Sequence, residues 1–152
     1  MADYARLGPG DADRLEELNG FFARVFPDPD VLECTGASQS QRDDWLAADR
    51  NVALVAFEKG VIVGGLVAYR LDKIEGRQEF YIYDLAVEKS ERRKGIATGL
   101  IALLCAIARE ADAWAVYVQA DLADDPAIAL YTKLGTREEV LHFDIEPARL
   151  LS

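Results

Sequence analysis

Cations are in deficit in this sequence: 17 Lys and Arg stand against 27 Asp and Glu, a formal charge of −10 over 152 residues. Polyphosphate backbones reward a basic surface, so nucleic acid is excluded as the main partner, whereas a cationic ligand suits the balance. Cysteine is nearly absent. Cys34 and Cys105 do not make a disulfide framework, which points to a reducing, cytoplasmic compartment. Cys105 falls on an apolar helix face and reads as core, and Cys34 falls in a loop. No stretch approaches the ~18 apolar residues of a membrane helix, and the opening Met-Ala-Asp-Tyr-Ala-Arg lacks a signal-peptide profile, so no membrane association is expected. Histidine occurs once, at His142, between apolar neighbours, and reads as structural rather than as a base. Two phosphate-binding signatures are also missing. Without G-x-x-x-x-G-K-[ST] a P-loop nucleotidase is excluded, and without G-x-G-x-x-G the dinucleotide fold is.

What is present describes a globular protein. An apolar fraction of 51% and a charged fraction of 29% are ordinary for a folded domain, and the length fits one domain covering residues 1–152. Tyr4 to Leu7 reads as a first strand, closed by Gly8-Pro9-Gly10. Leu15, Leu18, Phe22 and Val25 recur at helical spacing behind Asp11, an available N-cap, until Pro27 and Pro29. Ser40 to Ala48 suggests a second helix. Asn51 to Phe57 and Val61 to Leu71 form a hairpin about Lys59-Gly60. Phe80 to Val87 is a central strand, and Gly95 to Ala113 a long helix with Ile96, Leu100, Leu103, Leu104 and Ile107 as its buried stripe. Ala115 to Ala120 is a fifth strand. Pro126 to Leu134 is a helix with proline in its first turn and Gly135 past its end, and Thr136 to Ile145 a last strand. The expected architecture is α/β (α+β): a meander leading into a parallel βαβ crossover, one mixed sheet with helices on both faces.

The segment Arg92-Arg93-Lys94-Gly95-Ile96-Ala97-Thr98 carries the strongest chemical signal. It lies where the central strand gives way to the long helix. Backbone N–H groups at a helix start lack partners, and the helix dipole adds partial positive charge. Gly95 allows close approach, and three adjacent cations in an otherwise acidic chain fit a phosphate or pyrophosphate.

A single glycine framed by arginines, R-x-x-G-x-A, resembles the coenzyme A pyrophosphate loop of the GCN5-related acetyltransferase superfamily. That resemblance implies a six- to seven-stranded sheet splayed between strands four and five. It also implies that the main chain of Leu85, Ala86 and Val87 pairs with the pantetheine arm of acetyl-CoA, and that no metal is needed. Asp124-Asp125-Pro126-Ala127-Ile128-Ala129-Leu130-Tyr131-Thr132-Lys133-Leu134-Gly135 resembles the superfamily's N-x-x-A-x-x-L-Y-x-K-x-G. Asp124 replaces the usual asparagine and, with Ala127, would lie beside the cofactor. Tyr131 would protonate the leaving thiolate. Attack by an amine needs a neutral nitrogen, hence a carboxylate near the acceptor. Glu79 and Asp84 on the central strand are the candidates. Strand alternation separates Glu79, Tyr81 and Tyr83 from Asp84 unless a bulge intervenes.

The resemblance narrows further. Tyr81-Ile82-Tyr83-Asp84-Leu85-Ala86-Val87, Tyr117-Val118-Gln119-Ala120-Asp121 and Arg137-Glu138-Glu139-Val140-Leu141-His142-Phe143-Asp144-Ile145 are similar to the aminoglycoside 3-N-acetyltransferases of type I; Asp28 to Gln41 matches least. The implied reaction moves acetyl from acetyl-CoA to the 3-amino group of a deoxystreptamine drug of the gentamicin type, giving resistance. Tyr83, Asp84, Asp125, Glu138, Glu139 and Asp144 would face this cationic substrate, and a homodimer would be common for the superfamily. Two alternatives stay open: the same chemistry on a polyamine or protein amine, and a non-catalytic acyl-CoA sensor.

Overall fold

The computed structural model describes residues 1–26 and 36–150. They divide into two units, Met1–Gln119 and Ala120–Ser152.

In the first unit, Lys59 (φ +51°) and Gly60 (φ +77°) both adopt the left-handed conformation that a two-residue type I′ turn requires. The turn joins β2 (Asn51–Glu58) to β3 (Val61–Asp72). With β1 (Asp3–Arg6), β4 (Gln78–Val87) and β5 (Ala115–Val118) they make a sheet ordered β1-β2-β3-β4-β5. The first four strands run antiparallel, and β5 lies parallel to β4 after a crossover through α3 (Ile96–Glu110). The sheet therefore has five strands among the described residues, not six or seven.

Each face of the sheet has its own core. Val52, Leu54, Leu66, Phe80 and Ile82 meet Ile96, Leu100, Leu104 and Ala108 of α3. Val55 and Val67 on the other face meet Leu15, Leu18 and Phe22 of α1 (Ala12–Val25) and Leu46 of α2 (Gln39–Ala47). Burial on both faces explains why β2 and β3 read as continuous apolar runs. Consecutive glycines let both layers close onto β3. A Cβ on Gly64 would stand 2.8 Å from Ile96 Cγ2, and one on Gly65 would overlap Leu18 Cδ1.

Local chemistry differs from the sequence reading at three places in this unit. Asp11 is the N-cap of α1, but its carboxylate makes no cap bond; Oδ2 instead accepts from Gly8 N–H at 2.8 Å, closing the preceding turn. The true side-chain cap is on α2, where Ser38 and Gln41 form a reciprocal capping box. Cys105 is exposed rather than core. The buried stripe of α3 runs Ile96, Leu100, Leu104, Ala108, and a residue one step beyond Leu104 is turned about 100° away from it. Pro27, Pro29 and Cys34 lie outside the described residues, as does most of Asp28 to Gln41.

The second unit contains α4 (Asp125–Leu134), with Pro126 in its first turn, and a 3₁₀ turn at Pro147–Leu150. Gly135 ends α4 in an extended conformation (φ −148°) rather than a left-handed one. The expected strand from Thr136 to Ile145 is not formed. Alternation supplies only the faces of a strand; the ladder that satisfies its backbone must come from elsewhere in the chain.

Gly65→Ala is expected to destabilise the protein by about 1–3 kcal/mol through overpacking against Leu18 and Phe22. Gly20→Ala, at an exposed site of α1 with open space around it, is expected to stabilise by about 0.5–1 kcal/mol. Urea midpoints of the two variants measure both.

Candidate active site

The strand-to-helix turn has the geometry of an anion cradle. After β4 a short 3₁₀ turn, Lys89–Glu91, leads to Arg92 in extended backbone, Arg93 at φ +66° and Gly95 at φ +79° as the N-cap of α3. No side chain caps this helix start, so the first amides of α3, those of Ile96, Ala97 and Thr98, lack an acceptor within the helix. Buried Ile96 anchors the turn to the core. The three cations are not equivalent. Lys94 Nζ is paired with Glu91 at 2.7 Å, whereas Arg92 and Arg93 are exposed and form no hydrogen bond or close ion pair among the described residues.

Just before this turn, β4 loses one neighbour. Its parallel pairing with β5 covers Glu79 to Ile82 and ends at Ile82 opposite Val118, while its pairing with β3 continues to Val87. From Tyr83 to Val87, including Leu85 and Ala86, the outer edge of β4 has no strand beside it among the described residues. Main-chain donors and acceptors there are free to bind an extended ligand as an added strand would.

A bulge sets the side chains in the same stretch. Val67 lies opposite Asp84 and Ala68 opposite Ile82, which makes Tyr83 the extra residue. Phe80, Ile82, Leu85 and Val87 pack on the α3 side. The Tyr83 ring lies 5.9 Å from that of Tyr81 and 6.0 Å from that of Tyr69, and Asp84 lies opposite Val67 of the other core. Strict alternation separated Tyr83 from Asp84; the bulge puts them on one face.

Asp84 is half-buried, and burial raises its carboxyl above the ordinary 3.8. It forms no hydrogen bond or ion pair among the described residues. Its charge also acts on Tyr69 and Tyr81, whose phenols are raised first by their own burial. Arg70, beside Tyr69, is committed to Asp72 at 2.9 Å and Asp49 at 3.5 Å. Glu79 lies at the other end of β4, about 16 Å along the strand from Asp84, and is paired with Lys73 at 3.6 Å. The bulge region therefore gathers Asp84 and Tyr83 but not Glu79.

In the second unit, Asp124 caps α4 by accepting from Ala127 N–H at 3.2 Å. Its carboxylate thus has a structural task that an asparagine oxygen would perform equally. Tyr131, one of the less exposed residues of α4, has its phenol raised by burial and secondarily by Asp124, so it is protonated at neutral pH. Asp125 is in the exposed first turn of α4. Glu138, Glu139 and Asp144 are exposed; Glu139 pairs with Arg137 at 2.9 Å, and Asp144 with His142 at 3.0 Å. Among the described residues no helix is long and apolar enough to cross a membrane, and no group of three or more His, Cys, Asp or Glu is placed to hold a metal ion.

Sequence reasoning missed that Tyr81 and Tyr83 belong to a longer aromatic row. Trp45 meets Tyr69 edge-on at 6.1 Å, Tyr69 meets Tyr83, Tyr83 meets Tyr81, and Tyr81 stacks on Tyr117 at 4.9 Å. The strand aromatics were visible in the sequence, but strand order and register are needed to align them.

Comparison with known proteins adds to this geometry. The family described as Acetyltransferase (GNAT) family matches residues 15–136. No functionally curated protein sequence matches the chain. Among solved structures, an aminoglycoside acetyltransferase, HMB0005, from an uncultured soil metagenomic sample is 46% identical, with a TM-score of 0.91 over 96% of this chain and 98% of that one. A second soil metagenomic aminoglycoside acetyltransferase, meta-AAC0020, crystallised with sisomicin, is 28% identical, with a TM-score of 0.88 over 95% of each chain. A ribosomal-protein-alanine N-acetyltransferase from Brucella melitensis shares the fold at 23% identity and a TM-score of 0.71, over 96% of this chain and 99% of that one.

Burial favours protonated Asp84, so its stabilising contribution is complete below pH ~3.8 and lost as pH rises through the elevated folded value. Asp84→Asn is therefore expected to raise the urea midpoint at about pH 7 and leave it unchanged at about pH 3. Equal gains at both pH values would show that desolvated charge is not the cause.

Proposed function

The chain belongs to the GNAT acetyltransferase family, and from that premise we propose that it acetylates an aminoglycoside at the 3-amino group of the deoxystreptamine ring. The observation that carries this reading is the uncapped turn, with two exposed arginines that form no hydrogen bond or close ion pair among the described residues, beside the open edge of β4. It fits the diphosphate and extended arm of acetyl-CoA, the co-substrate of GNAT acetyltransferases. The likeness to metagenomic aminoglycoside acetyltransferases supports the acceptor class, and the 3-amino position rests on the sequence resemblance to the type I enzymes. The family match spans both units, which supports their acting as one acetyltransferase.

Acetyl-CoA supplies an activated acyl carbon. Leu85, Ala86 and Val87 hold the arm through their main chain, and their free amides can donate to the carbonyl oxygen as charge develops on it. Asp84, raised toward the range of a useful base, takes the proton from the acceptor ammonium directly or through water. As the C–N bond forms and the C–S bond breaks, Tyr131 gives its proton to the departing sulfur, a role consistent with its protonated state, and the proton shed by the acylated nitrogen restores the phenol directly or through water. Loss of one ammonium weakens an aminoglycoside's attraction to ribosomal phosphate, which is the basis for resistance.

Thiol release from acetyl-CoA should be fast with gentamicin and slow with spermidine or a lysine peptide, and NMR of the product should show acetyl on the 3-amino nitrogen. Acetyl elsewhere on the drug would keep the family and discard the regiochemistry. Tyr131→Phe is expected to lower kcat roughly 10²-fold with the acetyl-CoA KM little changed. Arg93→Gln is expected to raise the acetyl-CoA KM about tenfold and Lys94→Gln less, because Lys94 already has a carboxylate partner.

A further inference from the structure

The aromatic row crosses β3, β4 and β5 on one face, with Trp45 of α2 at its end, and its rings sit 4.9–6.1 Å apart. Such a row would ordinarily be a covered core, but this one is partly open: Tyr83 is 66% exposed and Tyr117 39%. Tyr81 is tied by its hydroxyl to Gln119 at 3.2 Å. α1 and α2 pack over β2, β3 and the Ala86 part of β4 through Leu15, Leu18, Phe22 and Leu46, and Tyr69 and Trp45 belong to the fringe of that core. Tyr81, Tyr83 and Tyr117 extend beyond it.

The row also carries charge. Asp84 is half-buried next to the bulge that presents Tyr83, without a cationic partner among the described residues, and the neighbouring Arg70 is used elsewhere. Open aromatic faces beside an uncompensated carboxylate match one ligand chemistry better than others: rings carrying apolar C–H faces and several ammonium groups. Ammonium groups gain from ring faces through cation–π attraction, and C–H faces gain from stacking without a net charge.

Resting on the aminoglycoside reading above, we infer that Tyr117, Tyr81, Tyr83, Tyr69 and Trp45 form the platform on which the acceptor's amino-sugar rings lie, with Asp84 receiving an ammonium. These side chains set which acceptors are held and how strongly. They act on the acceptor, not on acetyl-CoA.

The test uses the full chain carrying Tyr83→Leu or Tyr117→Leu, both at exposed positions. Each should raise the gentamicin KM roughly tenfold while the acetyl-CoA KM stays within about twofold. In a Trp114→Phe background, Trp45 is the one remaining indole. Its fluorescence should then respond to gentamicin without acetyl-CoA, with affinity lowered to the same degree by Tyr83→Leu. An unchanged gentamicin KM in both tyrosine variants, or an equal rise in the acetyl-CoA KM, would overturn the platform while leaving 3-N acetylation standing. Acetyl transfer to a different drug amine, with the KM effects intact, would overturn the regiochemistry and keep the platform. If no aminoglycoside is turned over and Trp45 does not respond to gentamicin, the platform falls as well.

Discussion

Two helices press on opposite faces of β3 at consecutive residues, and the rest of the first unit is arranged around that double contact. Gly64 admits Ile96 and Leu100 of α3, and Gly65 admits Leu18 and Phe22 of α1. The first contact fixes where α3 begins, and so where the turn from Arg92 to Gly95 presents its amides. The second holds α1 against β3 and the adjoining part of β4, while Tyr83 and Tyr117 of the aromatic row stay exposed. A side chain at either glycine would push a helix off the sheet and move one half of the site.

The electrostatics follow from how charges are committed rather than from their number. Many carboxylates of this acidic chain are exposed or in surface pairs, such as Arg24–Glu88, that are worth about 0–1 kcal/mol. Three groups depart from that pattern. Arg92 and Arg93 have no close ion pair among the described residues, at a helix start whose dipole already favours an anion. Asp84 is half-buried without a partner among the described residues, which is costly unless a ligand supplies the opposite charge. A basic turn with unpaired amides and a half-buried carboxylate thus lie at opposite ends of the unpaired stretch of β4, the arrangement that the proposed transfer from an anionic donor to a cationic acceptor calls for.

Much of this was legible in the sequence. The hairpin at Lys59-Gly60, the helix following Gly95 and the proline-started α4 rest on local rules of turn, cap and period, and all three are observed. Where local pattern was insufficient, the reading failed. Thr136 to Ile145 alternates like a strand but finds no ladder among the described residues, and Cys105, one step past Leu104 of the correctly read stripe, is exposed rather than core. Asp11 occupies a cap position, yet its carboxylate is taken by the Gly8 amide, a nearer competitor.

Most of the elements, the basic turn and the family were encoded locally, because each depends on residues within a few positions of one another or on extended similarity. It took the assembled sheet to show that Tyr83 and Asp84 share a face, that β4 loses β5 beyond Ile82, and that four tyrosines and a tryptophan align. Those features depend on cross-strand register. Register is set by how residues far apart in the chain pack against a common core, and no window of sequence contains both partners.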